Sequence, residues 1–205
     1  MNHQEHILVV PRATLKAAGI PVSKSLFTTE SVHIAQRTLE SIVMQEGLFL
    51  PRPVMEQDSA YKQIIPYMVF VYDRQVFVMQ RSGQAGEQRL AHAYTVGIGG
   101  HVREGDLTAG GLAEWGQREC SEEVVYEGAF ERIEYCGIVN DESNQVGMVH
   151  LGVVFVLHAM HGQITIRSEL KSGMLMNRKQ CLSYYSAMEA WSQQVVAVLI
   201  EHDYI

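Results

Sequence analysis

The sequence predicts an α/β protein, a mixed β-sheet sandwiched between helices, and three observations carry that expectation. Ile64 to Val71 and Val76 to Gln80 flank the polar pair Asp73-Arg74, which reads as a β-hairpin. Val146 to His158 is apolar almost without alternation, as in a strand buried on both faces of a sheet covered by helices. Apolar residues at helical spacing occur near both ends of the chain, and strands mixed with helices in this way indicate a layered arrangement.

Residues 1–60 read as an N-terminal extension expected to pack on the core or on a partner subunit, and 61–205 as the main domain. In the extension, Ile7 to Val10 is a short β-prone run ending at Pro11. Val32, Ala35, Leu39, Ile42 and Val43 keep helical spacing up to Gly47, with Thr28 or Thr29 as the expected cap. Pro21, Pro51 and Pro53 punctuate this part, and about sixty residues can hardly close a core alone.

Within the main domain the hairpin is followed by Arg81 and a loop containing Arg89, the cations best placed to meet phosphate. Ala93 to Ile98 is β-prone and ends at Gly97, Gly99 and Gly100, and the turn Glu104-Gly105-Asp106 follows. A helix then carries Arg118-Glu119-Cys120-Ser121-Glu122-Glu123. Cys120 shares an apolar stripe with Ala113, Gly116 and Val124, which makes it a core residue rather than a nucleophile. Ala129 to Ile138 reads as a strand, 139–145 as a loop with Asp141 and Glu142, and Ile164 to Ile166 as a further short strand. At the end, Ser186 and Glu189 form a capping-box pattern, and Met188, Trp191, Val195 and Val198 keep the spacing of a closing helix.

Composition bounds the function. The 205 residues suffice for one domain with an extension, and 47% hydrophobic content can fill a core. With 16 Lys and Arg against 23 Asp and Glu the net charge is -7, and no basic run offers a footprint for a nucleic-acid polymer. Apolar stretches such as Val195 to Ile200 are too short to span a bilayer, and the N-terminus has no basic start followed by a long apolar run. No membrane association is expected. Three widely spaced cysteines make neither a disulfide framework nor a zinc pattern, which points to a reducing cytoplasm. His92, His101, His150 and His158 lack metal-ligand spacing, and neither a Walker loop nor a serine nucleophile motif is present.

Chemistry is concentrated on one helical turn. Glu119, Glu122 and Glu123 occupy positions i, i+3 and i+4, so three carboxylates crowd one face. Each like-charged i,i+4 pair costs a helix roughly 0.2 to 0.5 kcal/mol. A bound divalent cation would remove that cost, and hard ions such as Mg2+ take carboxylate and phosphate oxygens. Glycines just upstream allow close approach of the backbone to a ligand.

These residues resemble the Nudix box. Gly100 would open it, Asp106 stands where the first Glu belongs, Arg118 to Glu123 supplies the acidic centre, and Tyr126 takes the final apolar position. The chain departs from the pattern in three ways. Asp replaces Glu at 106; eleven residues, Leu107 to Gln117, stand where the family has seven; and Val125 occupies the late Gly. The extra residues are expected around Thr108 to Gly111, before the helix proper. The resemblance extends to roughly Tyr61 through Ile205.

The resemblance implies a Nudix-like α/β/α sandwich and a metal-dependent hydrolase, with Mg2+ or Mn2+, of a diphosphate linkage in a nucleoside diphosphate derivative. It implies Glu119, Glu122 and Glu123 as metal ligands, with the Gly99 carbonyl as an extra one. Glu119 would also orient or deprotonate the water, and Arg118 would hold the carboxylates. Asp106 would be chiefly structural. Arg81, Arg89, His101 and Glu142 are candidates on the substrate side, with Asp141 and Glu169 as further acids outside the box and Tyr94 and Trp115 as aromatics near the loops. Two alternatives on the same fold stay open: a non-hydrolytic nucleotide-binding sensor domain, and a diphosphate-ester isomerase as in isopentenyl diphosphate isomerases. Retention of all three Glu residues favours catalysis. A homodimer is the expected assembly.

Overall fold

The computed structural model describes residues 5–27, 29–81, 93–106, 111–167 and 171–205. In chain order the elements begin with β1 (His6–Pro11), α1 (Arg12–Ala17), α2 (Thr29–Glu46), β2 (Leu48–Pro51), α3 (Arg52–Met55), β3 (Tyr61–Tyr72) and β4 (Gln75–Arg81). There follow β5 (Tyr94–Thr95), β6 (Gly97–Gly99), α4 (Gly111–Glu123), β7 (Val124–Val125), β8 (Phe130–Val139), α5 (Gln145–Val149) and β9 (His150–Ala159). The chain closes with β10 (Thr165–Ile166), β11 (Lys171–Asn177), α6 (Arg178–Tyr184) and α7 (Ala190–Glu201). The result is the expected mixed α/β architecture. The main path of the nine-stranded sheet is β11-β4-β3-β1-β2; β5 pairs with β4, β6 and β9 with β3, and β8 with β9.

The chain divides into two compact units. The first comprises Met1–Tyr67, Gly99–Gly116 and Tyr135–Phe155. In it β1 runs antiparallel to β2, with Ile7 opposite Leu50, and to β3, with Val9 opposite Gln63. Ile7, Leu8, Val9 and Val10 are all buried, as an unbroken apolar run in a sheet interior requires. Ile7, Val9 and Met55 pack together with Leu50 and Tyr61 against them. On α2, Leu39, Ile42 and Val43 are buried at the predicted spacing. Thr28, one of the two expected caps, lies outside the described residues, and Thr29 is the first residue of α2.

The second unit comprises Met68–Ile98, Gln117–Glu134 and Val156–Ile205. The predicted hairpin is present, with Tyr72 opposite Gln75 and the turn at Asp73 and Arg74, whose φ values are 46° and 59°. Positive φ at both central residues matches the right-handed twist of the flanking strands. Along its whole length β4 pairs with β11, from Gln75 opposite Asn177 to Arg81 opposite Lys171. Phe70, Phe77, Tyr126 and Phe130 form an aromatic cluster. Helix α7 buries Val195, Val196, Val198 and Leu199, and the Ser192 hydroxyl donates to Thr95 Oγ1 and accepts from the Val96 amide.

Two expectations are corrected. The strand read as starting at Val146 begins at His150, because Asn144 caps a short helix, its side chain accepting from the Gly147 amide. The Ser186–Glu189 capping box does not form: Ser186 lies in a 3-10 turn, Tyr185–Ala187, and Glu189 precedes α7 without a side-chain cap. The reciprocal box is at the start of α6, between Asn177 and Gln180.

Candidate functional site

Helix α4 ends in the acidic turn. Glu119, Glu122 and Glu123 sit at its C-terminal end, the negative pole of the helix dipole, so the carboxylates repel each other and the pole alike. Two arginines answer that charge. Arg118 donates from Nη2 to Glu119 Oε1 and from Nη1 to Glu122 Oε1, both at 2.6 Å, the short charge-assisted contacts expected of a guanidinium on carboxylates. Arg167 donates from Nε to the Ser121 and Val124 carbonyls at 2.8 and 3.2 Å, and its amide donates to the Glu123 carbonyl. It therefore caps the same helix end. Glu119 is 9% exposed, whereas Glu122 is on the surface and Glu123 half-buried.

This donor set suits a hard divalent ion. It consists of carboxylate oxygens, with Arg118 on Oε1 of both Glu119 and Glu122. Among the described residues no group of three His, Cys, Asp or Glu side chains is placed to hold a metal ion by itself. Mg2+ is characteristically held by one or two carboxylates plus substrate phosphates rather than by an all-protein cage.

Gly99 belongs to the first unit, and its backbone lies against Pro66: a Cβ there would come within 2.3 Å of the Pro66 carbonyl oxygen. Only glycine tolerates that approach. Asp106 closes a one-turn 3-10 helix, its Oδ2 accepting from the Arg103 amide at 2.7 Å while its own amide donates to the Arg103 carbonyl. Of the expected insertion, 107–110 lie outside the described residues, and Gly111 starts α4 with φ 72°.

Glu142, also in the first unit, is held by two cations. Arg12 Nη2 donates to its Oε1, and Lys62 Nζ lies 3.1 Å from the same atom. Lys62 is wholly buried, and its ammonium also donates to Asn140 Oδ1 at 3.0 Å and to the Gly147 and His150 carbonyls at 2.9 and 3.2 Å. Burial raises the Glu142 carboxyl, but the hydrogen bonds and charges of Lys62 and Arg12 outweigh it and hold the group below the usual carboxylate range. Asp141 accepts from the Ser143 amide and hydroxyl, which orders the same loop.

Beside this pair, Nε2 of His101 lies 2.7 Å from Gln63 Oε1 and 3.3 Å from Nε2 of His150. The other ring nitrogen of His150 lies 2.7 Å from the Val146 carbonyl, which fixes a proton on Nδ1. Gln63 is oriented by its amide group, which donates to the Met55 carbonyl. Burial, then the charges of Arg52, His150 and Arg103, pull the His101 imidazole down to about 3, and burial lowers His150 as well. Lys62, Gln63 and Asn140 did not stand out in the sequence. The one signal for Lys62 and Gln63 was a Lys-Gln pair opening an otherwise apolar strand, YKQIIPYMVFVY, and Asn140 had none.

The structure thus brings Arg118, Glu119 and Glu122 into direct contact, and places Gly99, His101 and Glu142 in the other unit with partners of their own. Arg81 ends β4, and Arg89, His92 and Glu169 lie outside the described residues. Tyr94 packs against Tyr184, and Trp115 is 2% exposed. Cys120 is buried as expected, with its thiol pushed up to about 12 by desolvation, which removes it as a nucleophile. Among the described residues no helix is long and apolar enough to cross a membrane.

No family model matches the chain. Protein YmaB of Bacillus subtilis (strain 168) is 31% identical over 206 residues, spanning 95% of this chain and 97% of that protein. Among solved structures, Tm1382, a candidate Nudix hydrolase, superposes with a TM-score of 0.76 at 26% identity, over 97% of this chain and 100% of that one. The NUDIX domain of Shewanella oneidensis NrtR, crystallised with ADP ribose, gives a TM-score of 0.53 at 16% identity, over 69% of this chain and 88% of that one, and so shares the fold.

Proposed function

The chain belongs to the Nudix family, and from that premise we propose that it is a metal-dependent hydrolase of a diphosphate linkage in a nucleoside diphosphate derivative. The observation that carries the reading is the single guanidinium of Arg118 gripping Glu119 and Glu122 on a turn that also bears Glu123. Arg118 sets the side-chain positions of Glu119 and Glu122 in advance, which saves reorganisation when a cation and a polyphosphate arrive. Mg2+ or Mn2+, when bound, supplies charge neutralisation at the phosphate oxygens and a more acidic water.

The residues divide the remaining work. Glu119, the most buried of the three, is the group we assign to orient the attacking water and accept its proton as the water oxygen bonds to phosphorus and the bridging P–O bond breaks. Glu122 and Glu123 supply oxygens to the ion. Arg81 and Arg89 are proposed to meet the substrate phosphates.

A panel of nucleoside diphosphate derivatives with Mg2+ or Mn2+ tests the reading, scored by release of phosphate or nucleoside monophosphate. ADP ribose, the ligand of the NrtR domain, is the first compound to include. Turnover that falls by about 100-fold or more in Glu122→Gln supports the assignment. Turnover unchanged in that variant contradicts it, and tight nucleotide binding without turnover at any metal concentration makes the chain a sensor instead.

A further inference from the structure

We propose that Gln63, His101 and His150 form a second cation site, selective for a borderline transition ion such as Zn2+ or Co2+ and built from none of the helix carboxylates. It goes beyond the hydrolytic reading and does not depend on it. All three residues belong to the first unit.

Three atoms that can donate lone pairs meet there: Gln63 Oε1, 2.7 Å from His101 Nε2, and His150 Nε2, 3.3 Å from the same nitrogen. The hydrogen on His150 is committed to the Val146 carbonyl through Nδ1, so its Nε2 lone pair faces His101. Gln63 spends its NH2 on the Met55 carbonyl, so its oxygen faces inward. One hydrogen, on His101 Nε2, is therefore shared between two acceptors, Gln63 Oε1 and His150 Nε2. Moving that proton to Nδ1 of the same ring, with no net proton exchange, leaves a lone pair on His101 Nε2 with Gln63 Oε1 and His150 Nε2 both beside it.

The spacing suits a metal. Two imidazole nitrogens about 2.0 to 2.1 Å from a tetrahedral ion stand roughly 3.3 to 3.4 Å apart. The observed separation is 3.3 Å, within that range, while the Gln63 oxygen must retreat by roughly half an ångström. Ligating histidines usually hydrogen-bond through the other nitrogen to a carbonyl or carboxylate, as His150 does with Val146. Imidazole with amide oxygen and water favours Zn2+, Co2+, Ni2+ or Cu2+ over Mg2+. Nearby positive charge is offset only in part: Arg52 pairs with Glu5 and Glu56, and Arg103 with Glu5, while the charges of both arginines still bear on His101.

Titration of the full-length chain with Co2+ tests the site. The expected result is one equivalent with visible d–d absorption, displaced by Zn2+ but not by excess Mg2+. It should persist in Glu122→Gln and weaken at least 10-fold in His101→Asn and in His150→Gln. Absorption equal in the His variants and the parent, or lost in Glu122→Gln, overturns the proposal. Should the His variants fail to fold, 15N spectra of the parent decide: Zn2+ must shift both Nε2 resonances, and unchanged resonances refute the site.

Discussion

Lys62 Nζ lies 3.1 Å from Oε1 of Glu142, and the lysine side chain has no exposed surface. A buried ammonium is tolerable only because every direction in which it can donate is filled: Glu142, the Asn140 side chain and two backbone carbonyls. Removing one member of such a pair strands the other. Glu142→Gln should therefore destabilise the protein by about 3 kcal/mol. Lys62→Met should cost less, since Glu142 keeps Arg12. Urea denaturation of the two variants at neutral pH compares them directly, and a larger loss in Lys62→Met would contradict this account.

The same pair fixes a pH dependence. An unfolded glutamate takes up its proton near pH 4.3, about the reference value. The folded Glu142 does so at lower pH, because Lys62 and Arg12 outweigh the effect of burial. Its contribution is whole above the unfolded value and is lost as pH falls through the folded one. The stability gap between the parent and Glu142→Gln should thus be constant from neutrality down to about pH 5 and shrink below about pH 4. A gap that widens on acidification would refute it.

Arg118 should serve both positioning and stability. Its contact to the exposed Glu122 contributes about 1 kcal/mol at most, but Glu119 is nearly buried, so Arg118→Ala should lower the urea midpoint measurably by leaving that carboxylate without its guanidinium. Loss of both contacts to Glu119 and Glu122 frees the carboxylates, and turnover on whichever compound the panel identifies should fall about 10- to 100-fold. Arg118→Lys should recover only part of it, because an ammonium lacks the planar fork that reaches two carboxylates at once. Full recovery in the lysine variant would mean that charge alone matters there.

Much of this molecule was legible because its signals are local. The hairpin around Asp73-Arg74 and the acidic turn of α4 are each specified by neighbours in sequence, and both are present. What stayed hidden depends on distant partners. Arg167 caps α4 from 43 residues beyond Val124, and Lys62 is answered from 78 to 88 residues away. No periodicity encodes such pairings. Strand β11 was silent because, of its described side chains, Met176 alone is buried, so no alternation appears. The segment at 146–149 misled because its apolar residues continue a strand-like run, while the decisive residue, Asn144, acts through a cap.

Gly99 gives the last prediction. In the sequence it looked like a residue that lets a ligand approach, yet the close neighbour in the structure is the Pro66 carbonyl, 2.3 Å from where a Cβ would stand. Real Cβ atoms do not come that near to backbone oxygen, and the neighbour is main chain in β3 rather than the end of a flexible side chain. Gly99→Ala must push β6 and β3 apart locally, an overpacking cost of about 1 to 3 kcal/mol. Gly105→Ala, where a Cβ meets nothing within 4 Å, is the matched control and should change stability little. Thermal unfolding of both distinguishes a packing constraint from a general intolerance of these turns: equal losses would show that the close approach at Pro66 is not what requires glycine at 99.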